Sequence, residues 1–427
     1  MSNKIKNSSF CVLPFIHVAA DPGGEIKPCC LTRNRNVDAT GKPYNLGYDK
    51  IETFFNSDYM KSLRKDMMTD VRPTTCQTCY DEESSGGISQ RQTYTKGWFE
   101  KDPELTQKIL DSELQDYQIE PDIKYFDLRF GNMCNLKCRS CGPVNSVQLL
   151  KESREIQINN PEIRKYFLFN DKKVDNINDW YQTSEFWENF VSQEDNVEQL
   201  YFTGGEPTII EQNYAILNRL VETGRSQSVS LIFSTNMTNI QPKFLDLINQ
   251  FKSVTFLASC EGYGNVHEYL RYPAKWSVFE TNIRKLAKMD PHRITIHCTP
   301  VVQSVNLSQI TEFFKWIDSI NEEYGFNRVN ILPIVLTFPT HLTFEILPYD
   351  MKQRALIKLN EFLKTSRSSL NPHFVGRINV IVDKCNKDMY NETELIKFKE
   401  FTLLLDQHRE QSLNTVNPEL YQLISKL

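Results

Sequence analysis

The sequence has no long apolar run. The longest, such as 331–336, falls far short of the roughly 20 residues that a membrane-spanning helix needs, so no membrane association is expected. Near its start it carries Lys4 and Lys6 but no apolar h-region, so export is not expected and a cytoplasmic protein is. Charge of one sign is also scarce. A net charge of -5 without an extended basic block leaves no electrostatic footprint for nucleic acid or an anionic membrane. No internal repeat is present. What is there is the composition of a folded globular protein, 40% hydrophobic and 24% charged, in 427 residues that suffice for two or three cores. Eleven cysteines, an odd number clustered at short spacings, point to metal ligation in a reducing compartment rather than to disulfides.

Residues 1–95 are loop-rich. The turn Asp21-Pro22-Gly23-Gly24 between strand-like pieces at 15–18 and 25–27 predicts a hairpin. Ile51, Phe55, Leu63 and Met67 fall near helical spacing, and that helix should stop before Pro73, with Cys76 and Cys79 just beyond. A linker helix is expected in 96–120, with its helix-prone part at 102–116. From 121 to 340 short apolar strands alternate with segments of helical period, the signature of βα units on a parallel sheet. Strands are predicted at 124–129, 197–202, 229–234, 253–259, 293–298 and 328–333, six βα steps that make an open or partial (β/α)6, TIM-like barrel of the α/β class. An insertion at 157–195, holding Trp180 and Trp187, is too long for an ordinary connection and is either a substrate lid or a segment packed on the barrel. Residues 341–427 form a helical C-terminal extension, with an added strand at 378–382 and a helix near 394–411.

The chemistry-bearing motif is Cys134-Asn135-Leu136-Lys137-Cys138-Arg139-Ser140-Cys141. The CX3CX2C spacing lets one loop bring three thiolates to three corners of a cuboidal iron-sulfur cluster, leaving the fourth iron open; thiolate is the ligand such clusters require. The loop follows the first predicted βα strand, so it lies at the C-terminal edge of the sheet, where parallel α/β folds keep their active sites. A three-ligand zinc site has the same ligands, and buried unligated thiols are the bland reading.

On these residues the segment 123–340 resembles the radical SAM superfamily, whose fold is a partial (β/α)6 barrel. A second hallmark stands at the end of the second predicted strand: Thr203-Gly204-Gly205-Glu206-Pro207 is similar to the family's GGEP, which holds the amino group of S-adenosylmethionine. Paired glycines let backbone approach a ligand closely, and Glu206 supplies an acceptor for an ammonium. Ser234 and Asn236 end the third strand and Ser259 the fourth, with Arg271 twelve residues on. The resemblance to the peptide-modifying branch assigns ribose and carboxylate contacts to Ser259 and Arg271. Arg271 suits a carboxylate because its fork donates two parallel hydrogen bonds; a strand cap and a surface ion pair are the bland readings. At Ser140 the sequence departs from the family, which has an aromatic residue before its last cysteine.

Cys11, Cys29, Cys76 and Cys79 supply four further thiolates. With Gly24, Gly86, Ser89 and Arg91 they resemble a twitch or SPASM-type domain, a hairpin and helix carrying an auxiliary 4Fe-4S cluster, here preceding the barrel rather than following it. A structural zinc site has the same ligands. Cys30 competes with Cys29, but two adjacent side chains do not readily face one centre, and the spacing from Gly24 favours Cys29. Cys298 is either a buried small hydrophobe or a hydrogen-atom donor; Cys260 and Cys385 read as structural, and His17 and His297 as packed or solvated.

The resemblance implies a 4Fe-4S cluster on Cys134, Cys138 and Cys141, bound S-adenosylmethionine, its reductive cleavage to a 5'-deoxyadenosyl radical, and hydrogen abstraction from a substrate. It further implies a reductant protein such as a flavodoxin or ferredoxin, and a peptide or protein substrate. A small-molecule substrate such as a nucleotide or sugar, or a non-catalytic electron-transfer protein, would leave much of the same pattern.

Overall fold

A computed structural model describes residues 8–32, 36–84, 87–162, 166, 177, 180–325 and 327–427. Backbone contacts divide the chain into two compact units. One comprises Met1–Asn132, Lys172–Ile232 and Asp246–Lys252, the other Met133–Asp171, Phe233–Leu245 and Ser253–Leu427. This division differs from the segmentation 1–95, 96–120, 121–340 and 341–427 read from sequence, because the N-terminal hairpin shares a sheet with the first βα strand.

In the first unit the expected hairpin is present as β1, His17–Ala20, antiparallel to β2, Ile26–Lys27. Its turn is held by the Asp21 carboxylate, which accepts from the Gly23 and Glu25 amides, and Gly24 supplies the required positive φ of 84°. The first strand begins later than predicted. Leu13–Ile16 is a helical turn, which Pro14 suits because its ring presets φ and its missing N–H is not needed there. β1 then pairs in parallel with β3, Tyr125–Leu128, and β3 with β4, Gln199–Phe202. The start of β5, Ser230–Thr235, joins through the Ser230 amide to the Glu198 carbonyl at 2.9 Å. The helix predicted from Ile51 to Met67 is two, Ile51–Phe55 and Asp58–Met68, because Ser57 caps the second by accepting from the Met60 amide. The linker helix is short, Leu105–Asp111 followed by a 3-10 turn at Ser112–Gln115.

Of the insertion 157–195, residues 163–165, 167–176, 178 and 179 lie outside the described residues. Trp180 is 1% exposed; its indole donates to the Pro22 carbonyl at 3.1 Å, and its ring packs on Phe130 and Phe186. The helix Ser184–Gln193 docks through Asn189, whose amide donates to the Leu46 and Asp49 carbonyls. This part of the insertion is packed structure under the hairpin turn.

In the second unit the Ser259 amide bonds the Thr235 carbonyl, tying the end of β6, Ser253–Ala258, to the end of β5. β6 is parallel to β7, Ile294–Cys298, and β7 to β9, Val329–Ile331; β8, Val301–Val302, and β10, Ile334–Val335, make a separate parallel pair. The C-terminal segment is helical: Tyr349–Thr365, Pro372–Cys385 and Glu392–Arg409. The strand expected at 378–382 is therefore a helix. Asn371 caps it and Pro372 starts it, and Phe374, Ile378, Ile381 and Cys385 are buried at intervals of four, three and four, a helical stripe that a short apolar run hides. The fold is α/β with a mostly parallel sheet and a helical C-terminal part, as the partial-barrel reading expects. Among the described residues no helix is long and apolar enough to cross a membrane.

Candidate functional site

In the second unit Cys134 and Cys138 are buried with Leu136 and Ala274, and Cys141 packs against them. The loop is pinned between its cysteines. The Lys137 amide donates to the Tyr272 carbonyl at 2.6 Å, the Arg139 amide to the Leu270 carbonyl at 2.9 Å, and the Ser146 hydroxyl to the Leu136 carbonyl at 2.6 Å. Mutual hydrogen bonding of the two thiols lowers the pKa of Cys138 and raises that of Cys141; Arg271 acts further in the lowering direction on both. Asn236 is buried, with its amide nitrogen 4.0 Å from the Cys134 sulfur and 2.9 Å from the Asn135 side-chain oxygen. Ser234 and Ser259 are half-buried at strand ends.

Arg271 is engaged by Glu261, at 2.5 Å, and Glu261 also accepts from the Val301 amide. One arm of its fork is therefore occupied, while its buried Nε has no partner. Arg139 Nη1 and Arg409 Nη1 are likewise buried without an acceptor. An orphaned buried N–H costs about 1–3 kcal/mol. Arg271 and Arg409 both act electrostatically on Cys138, and Arg139 belongs to the loop itself. Three soft thiol ligands under the positive field of Arg271 and Arg409 fit an anionic sulfur-rich centre. Among the described residues no three His, Cys, Asp or Glu side chains already stand as the shell of a single metal ion.

The glycine turn belongs to the first unit. Thr203 donates its amide to the Leu128 carbonyl at 3.2 Å, and Gly204 and Gly205 have φ of 79° and 57°. A Cβ on Gly204 would stand 2.9 Å from that of Arg129, so backbone alone fits there. The fully buried Glu206 turns a carboxylate oxygen onto the Thr208 amide, at 3.1 Å, and hydroxyl, at 2.6 Å, capping the 3-10 turn Pro207–Ile209.

Also in the first unit, Cys11, Cys29, Cys76 and Cys79 line one small, partly open hollow with Leu13, Met67 and Arg91. Burial raises the pKa of Cys11, with Cys76 and Cys79 adding to it, and raises that of Cys76 to about 12. Cys30 does not line the hollow; its thiol lies 3.7 Å from the Gln90 oxygen. Arg91 bonds both Glu83 oxygens and the Phe10 carbonyl, and Ser89 caps the helix Gln90–Lys101. Gly86 lies outside the described residues. Cys260, Cys298 and Cys385 are fully buried.

Two sets of residues escape sequence reasoning. On one face of the first unit's sheet, register places His17 opposite Tyr125 and Tyr125 opposite Gln199, with Asp127 opposite Tyr201; Asp127 pairs with Arg129 at 3.3 Å. A parallel sheet is ordinarily apolar on both faces, so alternation of polar residues along 124–129 and 197–202 was the available signal. The second set holds the cysteine loop from Glu152, Asp406 and Arg409, at sequence separations that no local pattern reveals.

Residues 128–317 match the sequence profile of the Radical SAM superfamily. No curated protein matches the chain in sequence. Among solved structures it is similar to Streptococcus suis SuiB bound to S-adenosylmethionine (13% identity, TM-score 0.37, 73% of this chain and 61% of that one). It is similar also to SuiB bound to the precursor peptide SuiA (11%, 0.34, 68% and 59%) and to native anSMEcpe with bound AdoMet (15%, 0.34, 58% and 62%). The chain thus spans about three fifths of the length of these structures. Within the chain it is residues 128–317 that carry the radical SAM likeness.

Proposed function

We propose that the chain reductively cleaves S-adenosylmethionine and abstracts a hydrogen atom from a peptide or protein substrate. The superfamily implies a 4Fe-4S cluster and S-adenosylmethionine, which together supply one-electron cleavage of the sulfonium and a hydrogen-abstracting carbon centre. Cys134, Cys138 and Cys141 would hold the cluster. Asn236 braces the loop through Asn135, and Arg271, held by Glu261, keeps its orphaned Nε for a carboxylate. By the same resemblance Thr203, Gly204, Gly205 and Glu206 are assigned to the amino group, and Ser234 and Ser259, at the ends of their own strands, to further contacts with S-adenosylmethionine. The observation that carries this reading is the gathering of three loop thiols in one buried cluster, with Arg271 and Arg409 acting electrostatically on Cys138.

For Cys11, Cys29, Cys76 and Cys79 an auxiliary 4Fe-4S cluster is the reading that the resemblance to twitch and SPASM domains favours. Four thiols lining one hollow supply the full shell of such a cluster, and a tetrahedral zinc ion would take the same ligands. The peptide substrate follows from the resemblance to twitch and SPASM domains, and a flavodoxin or ferredoxin would supply the electron. Anaerobic incubation with dithionite and S-adenosylmethionine, followed by mass spectrometry, tests the core of the proposal. 5'-Deoxyadenosine is the expected product, and intact S-adenosylmethionine with a fully loaded protein would leave only an electron-transfer role.

A further inference from the structure

The motif CX3CX2C carries two cations between its cysteines, and the fold gives each an acid from far along the chain. Lys137 Nζ donates to Glu152 at 3.1 Å. Glu152 is 1% exposed and is gripped at the same time by Arg409, whose Nε and Nη2 reach its two oxygens at 3.0 and 2.5 Å. Arg139, 3% exposed, donates through Nη2 to Asp406 at 2.5 Å and to Gln411 at 3.1 Å, and through Nε to the Tyr269 carbonyl at 3.2 Å. Its guanidinium lies 3.8 Å from the Tyr269 ring centre, and the Tyr269 hydroxyl returns to Asp406 at 2.8 Å. Asp406 is finally fixed by the Leu413 amide at 2.7 Å.

Asp406 and Arg409 stand three residues apart on the helix Glu392–Arg409, on one face and within one turn. The end of that helix therefore grips both charged residues of the loop, Arg139 directly and Lys137 through Glu152. Docking a helix needs only an apolar stripe, and Leu395, Phe398, Phe401 and Leu405 already provide one. Ion pairs so buried add little net stability and cost several kcal/mol when one partner is lost. Their placement inside the ligand motif gives them another use, because a loop fixed before ligation loses less conformational entropy when it takes up its ligand.

We infer that Asp406 and Arg409 are positioning residues for the iron-sulfur centre, fixing the CX3CX2C loop in its ligating conformation. The inference rests on the reading of Cys134, Cys138 and Cys141 as ligands. It is tested on the full chain, reconstituted anaerobically, by timing iron release to a ferrous chelator and recording the EPR spectrum of the reduced protein. Cys138→Ala identifies the share of iron bound at this loop. Asp406→Asn releases that share about tenfold faster than the wild type, the usual size of an outer-shell effect, and Asp406→Glu falls between them. Since Asp406→Asn leaves Arg139 buried and unpaired, the double variant Arg139→Met, Asp406→Leu separates folding from positioning: with no stranded charge it folds, and it still releases iron about tenfold faster. Wild-type retention and an unaltered EPR spectrum in that variant overturn the inference. Should Cys138→Ala bind as much iron as the wild type, the ligand reading fails first and the inference with it.

Discussion

The two cysteine sites are built in opposite ways. Cys134, Cys138 and Cys141 come from one eight-residue loop, and positive charge acts on it: Arg271 and Arg409 both bear on Cys138, and each keeps a buried nitrogen without an acceptor. Cys11 and Cys29 flank the hairpin, Cys76 ends the 3-10 turn Thr74–Cys76 and Cys79 stands in the first turn of the helix Gln77–Ser84; the hollow they line is largely apolar. Among the described residues the guanidinium that lines it, Arg91, spends itself on Glu83 and the Phe10 carbonyl. Hydrogen bonds to sulfur and exposure set the potential of an iron-sulfur centre. On the proposed reading, the loop site would suit a centre that changes charge or binds a charged ligand, and the dispersed site one that is held in place.

The largest expected effects separate the sites by substitution. Cys138→Ala abolishes formation of 5'-deoxyadenosine, measured by mass spectrometry, whereas Cys79→Ala leaves cleavage without substrate turnover partly intact. Equal loss in both would mean that the dispersed cysteines are needed for folding, and the contrast between the sites would collapse. Metal analysis sharpens it further: anaerobic reconstitution yields about eight irons per chain, two cuboidal clusters of four. About four irons and one zinc would instead make the apolar hollow a structural zinc site.

The same contrast explains how much was legible in the sequence. The loop site is local, so its spacing and the strand before it could be read directly, and the glycine turn at 203–207 was legible as a local motif of its own. Six of the strands between 125 and 331, all but the two-residue Val301–Val302, were readable for a related reason, since each is a short stretch of strand-forming residues between helical segments. Position along the chain misled where elements join in space: nothing in 13–27 announces that β1 pairs with β3. The apolar run at 378–382 misled because five residues cannot separate a buried strand from one stripe of a helix. Lys137 and Arg139 were visible as charges within the motif, but their partners lie on other helices, Asp406 267 residues from Arg139.

Stability effects are smaller and fall on the dispersed site. Trp180 sits against Gly24 and Gly47, where an added Cβ would lie 2.6 and 2.3 Å from Trp180 atoms. Trp180→Ala should cost about 3–5 kcal/mol by chemical denaturation. Because the hairpin turn rests on Trp180, iron at the four dispersed cysteines should fall with it while 5'-deoxyadenosine formation persists. Loss of both together would show that the sites depend on one another more closely than their construction suggests.

The smallest effect is one of pH and concerns the backing of the loop site. His267 is fully buried, both ring nitrogens lack partners, and its ring lies 4.9 Å from that of Phe279 and 5.8 Å from that of Trp276. Burial, with Arg271 adding to it, lowers its pKa from 6.5 to about 3. The unfolded chain therefore takes up this proton first as pH falls. The stability tied to the neutral imidazole is complete above pH 6.5 and is lost progressively between there and about 3. His267→Phe should flatten the decline of the melting temperature between pH 7 and pH 5, most visibly in the helix Asn265–Leu270, whose last carbonyls hold Arg139. His17, in the first unit, is also lowered by burial, to about 4, but its Nδ1 is hydrogen-bonded to the Pro28 carbonyl, so the tautomer is fixed. An unchanged decline in His267→Phe, with a flattened one in His17→Phe, would place the acid-sensitive element beside the dispersed cysteines instead.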